Sequence, residues 1–186
     1  MKASIRAILA VVPVSIAGFT VAQGLNEFAG GAAMAFTVKS SAFGMGAEIS
    51  KQFTCSGNDV SPALKWSSPP AKTASFALIV DDPDAPVGTW VHWVLWNLPA
   101  SAHTLSENVP KREQLDDGSL QGTNDFRKMG YNGPCPPPGK PHRYFFRLYA
   151  LDTKLNLAPG ATRQELDAAM KGHVLGQAEY MGTFRR

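Results

Sequence analysis

Three aspartates, two prolines and a histidine crowd the start of one of the most apolar runs in the chain, DDPDAPVGTWVHWVLWNLP, residues 81–99. A strand that only filled a core would have no use for them. Pro83 and Pro86 fix their own φ angles and restrict the residue before each, so Asp82 and Asp84 sit on a stiff loop that leads to His92. A second group lies in GYNGPCPPPGKPHRYFFRLYALD, where His142 and Tyr144 are two apart at the start of another strand-like run. Period two puts both on one face, ~7 Å apart along the strand, and turns Arg143 to the other. The Gly-Pro-Cys-Pro-Pro-Pro-Gly stretch before them excludes helix and central strand, and its glycines allow backbone N–H groups to approach a ligand closely. Two rigid, proline-rich loops therefore each deliver a histidine.

The chemistry that suits this set is recognition of an anion in a small polar pocket. Imidazole N–H groups and the Tyr144 hydroxyl can donate to phosphate-like oxygens, while Asp82 orients one imidazole by accepting from its other nitrogen. A bound dianion favours the protonated imidazole, so affinity is expected to rise as pH falls. An aspartate beside that anion suits a ligand that also carries an ammonium group. Other chemistries share the parts. Two histidines and an aspartate are zinc ligands by type, yet no H-E-x-x-H and no cysteine pair at metal spacing occurs. Ser61 with a histidine and an aspartate has the composition of a hydrolase triad, but there is no G-x-S-x-G elbow and Ser61 precedes a proline. No cofactor or metal is implied. In isolation, His92 beside Trp90, Trp93 and Trp96 reads as a core histidine, and the tryptophans as core and pocket rim. Asp81 and Asp84 read as turn caps. His103, in a polar loop, and His173, after a helix stop, have no such company.

The elements that must position these groups are mostly strands. AFTVKS, ALKWS, SFALIVDD, VHWVLWNLP and RYFFRLYALD carry β signals and are separated by Gly-, Pro-, Ser- and Asn-rich segments. Ser75–Val80 and Val91–Leu98 are nearly continuous in apolar residues, as in strands covered on both faces. Simple alternation gives His92 the same face as Val94, Trp96 and Leu98. The clearest helix signal begins at Thr162, where Thr-Arg-Gln-Glu forms a capping box with Glu165, and it stops at Gly172. Many short strands and one late helix predict a mainly β, antiparallel β-sandwich with minor helical decoration.

Length and composition fit one domain after a leader. Residues 1–22, MKASIRAILAVVPVSIAGFTVA, have the three-part pattern of a secretory signal: Lys2 and Arg6, an apolar run from Ala7 to Phe19, and small residues before Gln23. Cleavage after Ala22 is expected, an uncleaved anchor being the competing reading, with a loose Gly- and Ala-rich lead-in over residues 23–35 and the domain over 36–186. Of the 18 basic residues, Lys2 and Arg6 lie in this leader, leaving 16 against 15 acidic ones, so the net charge of +3 becomes +1. No basic cluster longer than a pair is present, which excludes an electrostatic case for nucleic acid or an anionic membrane surface. No transmembrane span is expected in the mature chain, whose place would be the periplasm or outside the cell. Cys55 and Cys135 are the only cysteines. In an oxidising compartment such a pair usually bridges, the alternative being two buried thiols.

DPDAP…HW…N followed by GYNGPCPP…HRY resembles the phosphatidylethanolamine-binding protein family, in its bacterial Raf kinase inhibitor-like branch; CSGNDVSPALKW and KGHVLGQAEYMGTFRR are also similar to bacterial members. The resemblance covers about Phe36 to Arg186. It implies a sandwich of antiparallel sheets with a small surface pocket for phosphate-like anions, including a phosphoethanolamine headgroup. Carried over by position, the ligand-binding residues are Asp82, Pro86, His92, Pro136, His142 and Tyr144. Eukaryotic members continue into a C-terminal helix beside the pocket, whereas this sequence ends with AEYMGTFRR, so kinase regulation is not expected to transfer. Two functions follow as expectations: non-enzymatic binding of small phosphorylated or anionic ligands, or an inhibitor-like interaction module using the pocket rim.

Overall fold

A computed structural model describes residues 35–186; the segment read as a leader and nearly all of the expected lead-in fall in residues 1–34, outside the described residues. The described residues form two antiparallel sheets. The smaller has the order β1 (Thr37–Ser40), β2 (Leu64–Ser67), β5 (Thr104–Leu105). The larger has the order β6 (Leu120–Gln121), β4 (Trp90–Pro99), β3 (Ser75–Asp82), β7 (His142–Leu151), β8 (Val174–Phe184). Among the described residues there is one α-helix, α1 (Arg163–Met170), before β8, and a single 3-10 turn at Lys51–Phe53. The expected sandwich is present.

Both faces of the larger sheet are covered, which is why β3 is apolar throughout Phe76–Val80 and buried at every position. One core lies between the sheets, where Trp66 and Leu64 meet Phe76, Trp93, Phe146 and Leu148. The other joins Ile79, Val94 and Trp96 to Leu155, Leu166 and Met170 of the α1 side. The helix starts where its capping box places it: the Thr162 hydroxyl accepts from the Glu165 N–H, and the Glu165 carboxylate accepts from the Thr162 N–H at 2.7 Å. It ends before Gly172, whose φ of 85° turns the chain in the left-handed region.

Simple alternation fails on β4. Val80 pairs with Trp93 and Asp81 with Val91, leaving His92 as an extra, unpaired residue in a β-bulge. A second irregularity follows, because Phe76 pairs with Leu98 but Leu78 with Leu95, and Asn97 there has a φ of 58°. Val91, Val94 and Trp96 therefore face the helix-side core, and Trp93, Leu95 and Leu98 face the inter-sheet core. His92 does not share a face with Val94 and Trp96 as alternation suggested.

Candidate functional site

The C-terminal end of β3 and the N-terminal starts of β4 and β7 lie side by side, since these three strands are adjacent and antiparallel. That topology gathers Asp82, His92 and His142 at one end of the sandwich. They line a cavity of about 210 Å³, together with Pro86, Pro136 and the rings of Trp90 and Phe126. Of the six residues expected at a pocket, five line it; Tyr144 stands behind the wall.

Each imidazole has one nitrogen held from behind. His142 Nδ1 lies 2.8 Å from Asp82 Oδ2, the orienting role expected of that aspartate. The other Asp82 oxygen accepts from the Asp84 N–H at 2.9 Å, so the carboxylate is fixed at both atoms. His92 Nδ1 donates instead to the Asn132 carbonyl at 2.7 Å. Burial lowers the His92 pKa below 6.5, opposed by that carbonyl and by the Asp82 charge. His142 and Tyr144 occupy the buried face of β7 while Arg143 between them is exposed, as period two required.

Tyr144 is fully buried, and its ring meets that of His92 edge to face at 5.3 Å between centroids. Its hydroxyl has no hydrogen-bond partner among the described residues. Burial, reinforced by the Asp82 charge, holds the phenol well above its usual range. The group remains an O–H donor at any ordinary pH.

Two of the three aspartates differ from their sequence reading. Asp81 is no turn cap: it bonds Arg163 of α1 at 2.7 Å and lies 3.3 Å from Arg147 of β7, on the face away from the cavity. Asp84 accepts from the Arg143 N–H at 2.9 Å and takes its guanidinium in a two-pronged pair, which pulls the carboxyl down to about 2. This pair fastens the proline loop to β7. The Ala85–Pro86 bond is trans, like every peptide bond among the described residues.

The second loop is fastened as firmly. Cys135, on the cavity wall, is bonded to Cys55 across 80 residues of sequence. The Cys55 N–H donates to the Pro134 carbonyl at 3.1 Å, and the Tyr131 hydroxyl donates to the Phe53 carbonyl at 2.7 Å. Gly133 is needed for packing rather than for a ligand, because a Cβ there would lie 2.0 Å from the Phe53 oxygen. Its N–H donates to Asp59, not into the cavity.

Sequence reasoning missed Phe126, Asn132 and Asp59. Phe126 arrives through an Asx turn, in which Asn124 Oδ1 accepts from the Phe126 N–H at 3.0 Å, and through Asp125, which accepts from the Val91 N–H at 2.7 Å. The Asn-Asp pair at 124–125 marks a turn but says nothing about where the turn lands. Ser61, the serine of the triad reading, is buried with its hydroxyl accepting from the Val109 N–H, and it does not line the cavity. Among the described residues no three His, Cys, Asp or Glu side chains converge as a metal site, and no helix is long and apolar enough to cross a membrane.

Comparison with known proteins agrees with this architecture. A UPF0098 protein of Methanothermobacter thermautotrophicus is 52% identical over 149 residues, covering 80% of this chain and 98% of the relative. One from Aquifex aeolicus is 47% identical over 160 residues, covering 85% and 92%. Among solved structures, the PEBP homologue CT736 of Chlamydia trachomatis superposes with a TM-score of 0.75 at 39% identity, covering 82% of this chain and 98% of that one. E. coli YbcL, described as a member of the mammalian PEBP family, gives a TM-score of 0.76 at 34% identity, covering 81% and 98%. A sequence model of the phosphatidylethanolamine-binding protein family matches residues 39–185, nearly the whole described sandwich, and the chain belongs to that family.

Proposed function

We propose that the cavity binds the phosphate or another compact anionic group of a small ligand, such as a phosphoethanolamine headgroup, and does so without chemistry. The observation that carries this reading is the pair of imidazoles. Each has Nδ1 engaged behind the wall, by Asp82 or by the Asn132 carbonyl, which leaves Nε2 for the cavity both rings line, an anion donor when the ring is protonated. Pro86, Pro136, Trp90 and Phe126 keep the surroundings apolar, and in such surroundings each donor counts for more than in water. The unpartnered Tyr144 hydroxyl is a further donor for a ligand oxygen that reaches it. At about 210 Å³ the space falls below the roughly 300–1,000 Å³ typical of drug-sized ligands, which favours a headgroup or a free anion.

Calorimetric titration of the mature chain with phosphoethanolamine and with inorganic phosphate tests the reading. Saturable heat that disappears in His142→Ala is expected; the absence of heat with either ligand in the unaltered protein overturns it. A hydrolytic role would show as turnover of a chromogenic phosphate ester that is lost with His92→Ala.

One observation favours the interaction-module reading: Val87, on the lip of the cavity, is 78% exposed. A protein partner seated there would be sensitive to Val87→Asp and tolerant of His142→Ala, the reverse of the small-ligand pattern.

We also infer that the protein works in the periplasm or outside the cell. The secretory pattern of residues 1–22 and the bonded Cys55–Cys135 pair support this, since structural disulfides persist in oxidising compartments. The mature protein is expected in the exported fraction with Gln23 at its N-terminus; recovery of the full chain from the cytoplasm would contradict it.

A further inference from the structure

We propose that Asp59 is a positioning residue for His92. Through Asn132 and Gly133 it holds the carbonyl that fixes the His92 tautomer, and so sets the protonation of the ring nitrogen left for the cavity. The consequence for affinity rests on the anion-binding reading; the tautomer is a property of the unliganded protein.

Asp59 lies far from the cavity residues in sequence and has a φ of 55°, a left-handed backbone that aspartate adopts more readily than most residues. This aims its carboxylate at the proline-rich loop. Oδ1 accepts from the Gly133 N–H at 2.6 Å, and Oδ2 accepts from Asn132 Nδ2 at 2.9 Å. Lys111 Nζ, also 2.9 Å from Oδ2, balances the charge.

Asn132 is thereby engaged at every polar atom. Its side-chain oxygen accepts from Asn124 Nδ2 at 2.8 Å, and its N–H donates to the His92 carbonyl at 3.0 Å. Its own carbonyl is left for His92 Nδ1 at 2.7 Å. A carbonyl can only accept, so Nδ1 must carry a proton. In the neutral ring the lone pair is then on Nε2, and protonation adds a donor at that nitrogen. Asp59 grips both ends of the Asn132–Gly133 peptide, so its loss frees that peptide to turn and lets the ring redistribute its proton.

Nitrogen-15 NMR of the histidine rings in the unliganded mature protein tests this, with the affinity for inorganic phosphate as the second readout. In the unaltered chain His92 should show the Nδ1–H tautomer. Asp59→Ala should give mixed tautomers at His92, leave the His142 pattern unchanged, and weaken phosphate binding tenfold or more, because the carbonyl that supports the imidazolium, the form with a donor at Nε2, is no longer held against Nδ1–H. Asp59→Asn, which keeps an acceptor for Gly133, should restore part of both signals and carries the same readouts if Asp59→Ala does not fold. Leu166→Ala, in the helix-side core, is the control for general destabilisation and should change neither. An unchanged His92 pattern in folded Asp59 variants overturns the proposal, whatever the affinity does. A tautomer shift in a protein that never binds phosphate would leave the proposal standing and remove the anion-binding reading.

Discussion

At the scale of residues, three neighbouring aspartates serve separate partners: Asp81 the arginines of α1 and β7, Asp82 His142, and Asp84 Arg143. Their proximity in sequence hides this division, because alternation along β3 sends Asp81 and Asp82 to opposite faces. His92 carries a pH dependence on the acid side of neutral. Its folded pKa is depressed below 6.5 by burial, so the folded state takes up its proton later than the unfolded chain does. Stability from this group is therefore fully present above about pH 6.5, the unfolded value, and declines as pH falls from there through the folded pKa. The pH dependence of the thermal midpoint should show this decline, and His92→Gln should flatten it. Ligand binding runs the other way: an anion stabilises imidazolium, so proton uptake should accompany binding, detectable as a buffer-dependent heat. The cavity histidines were legible because each follows a proline-rich loop. Asp59 and Asn132 were not, since a polar loop residue gives no periodic sign of the partner it meets after folding.

Elements show where pattern reading succeeds and where packing overrides it. β3 and β4 could be read because long apolar runs mark strands covered on both sides, and β7 because its aromatic-rich RYFFRLYALD carries a β signal. β8 escaped notice although it has 11 residues, because Gly176 and Gly182 interrupt its β signal. Both glycines answer to packing. A Cβ on Gly182 would lie 2.6 Å from Ile49 Cγ1 and 2.7 Å from Phe43 Cε2, and one on Gly176 2.8 Å from Pro70 Cγ. Gly182→Ala should therefore cost roughly 1–3 kcal/mol by overpacking, measured in urea unfolding. A cost near zero would mean the strand shifts freely. The helix was legible from its capping box alone, and Thr162→Ala should cost about 1 kcal/mol without affecting the cavity, since α1 packs on the opposite face of the sheet. The bulge at His92 was not legible, because the extra residue is defined only by its pairing with β3.

For the whole molecule, the cavity is a consequence of closing one end of a sandwich with two stiff loops. Arg143 ties one loop through Asp84, and the Cys55–Cys135 bond ties the other to the segment after β1. With the bonded cysteines separated by 80 positions in sequence, removing the bridge by a paired Cys→Ser exchange should lower stability by roughly 2–5 kcal/mol. Chemical denaturation of the two forms measures this, and equal midpoints would show that the bridge adds nothing. The fold class could be read from strand number and turn density, whereas the convergence of three strand ends required the sheet order, which no local pattern encodes. The most direct test of the account follows the His92 and His142 ring signals by NMR while inorganic phosphate and phosphoethanolamine are added at pH 6 and pH 8. Saturable shifts in both rings, tighter at pH 6, are expected. Rings that stay unmoved at millimolar ligand would contradict the anion pocket and leave the cavity as a packing feature of the sandwich.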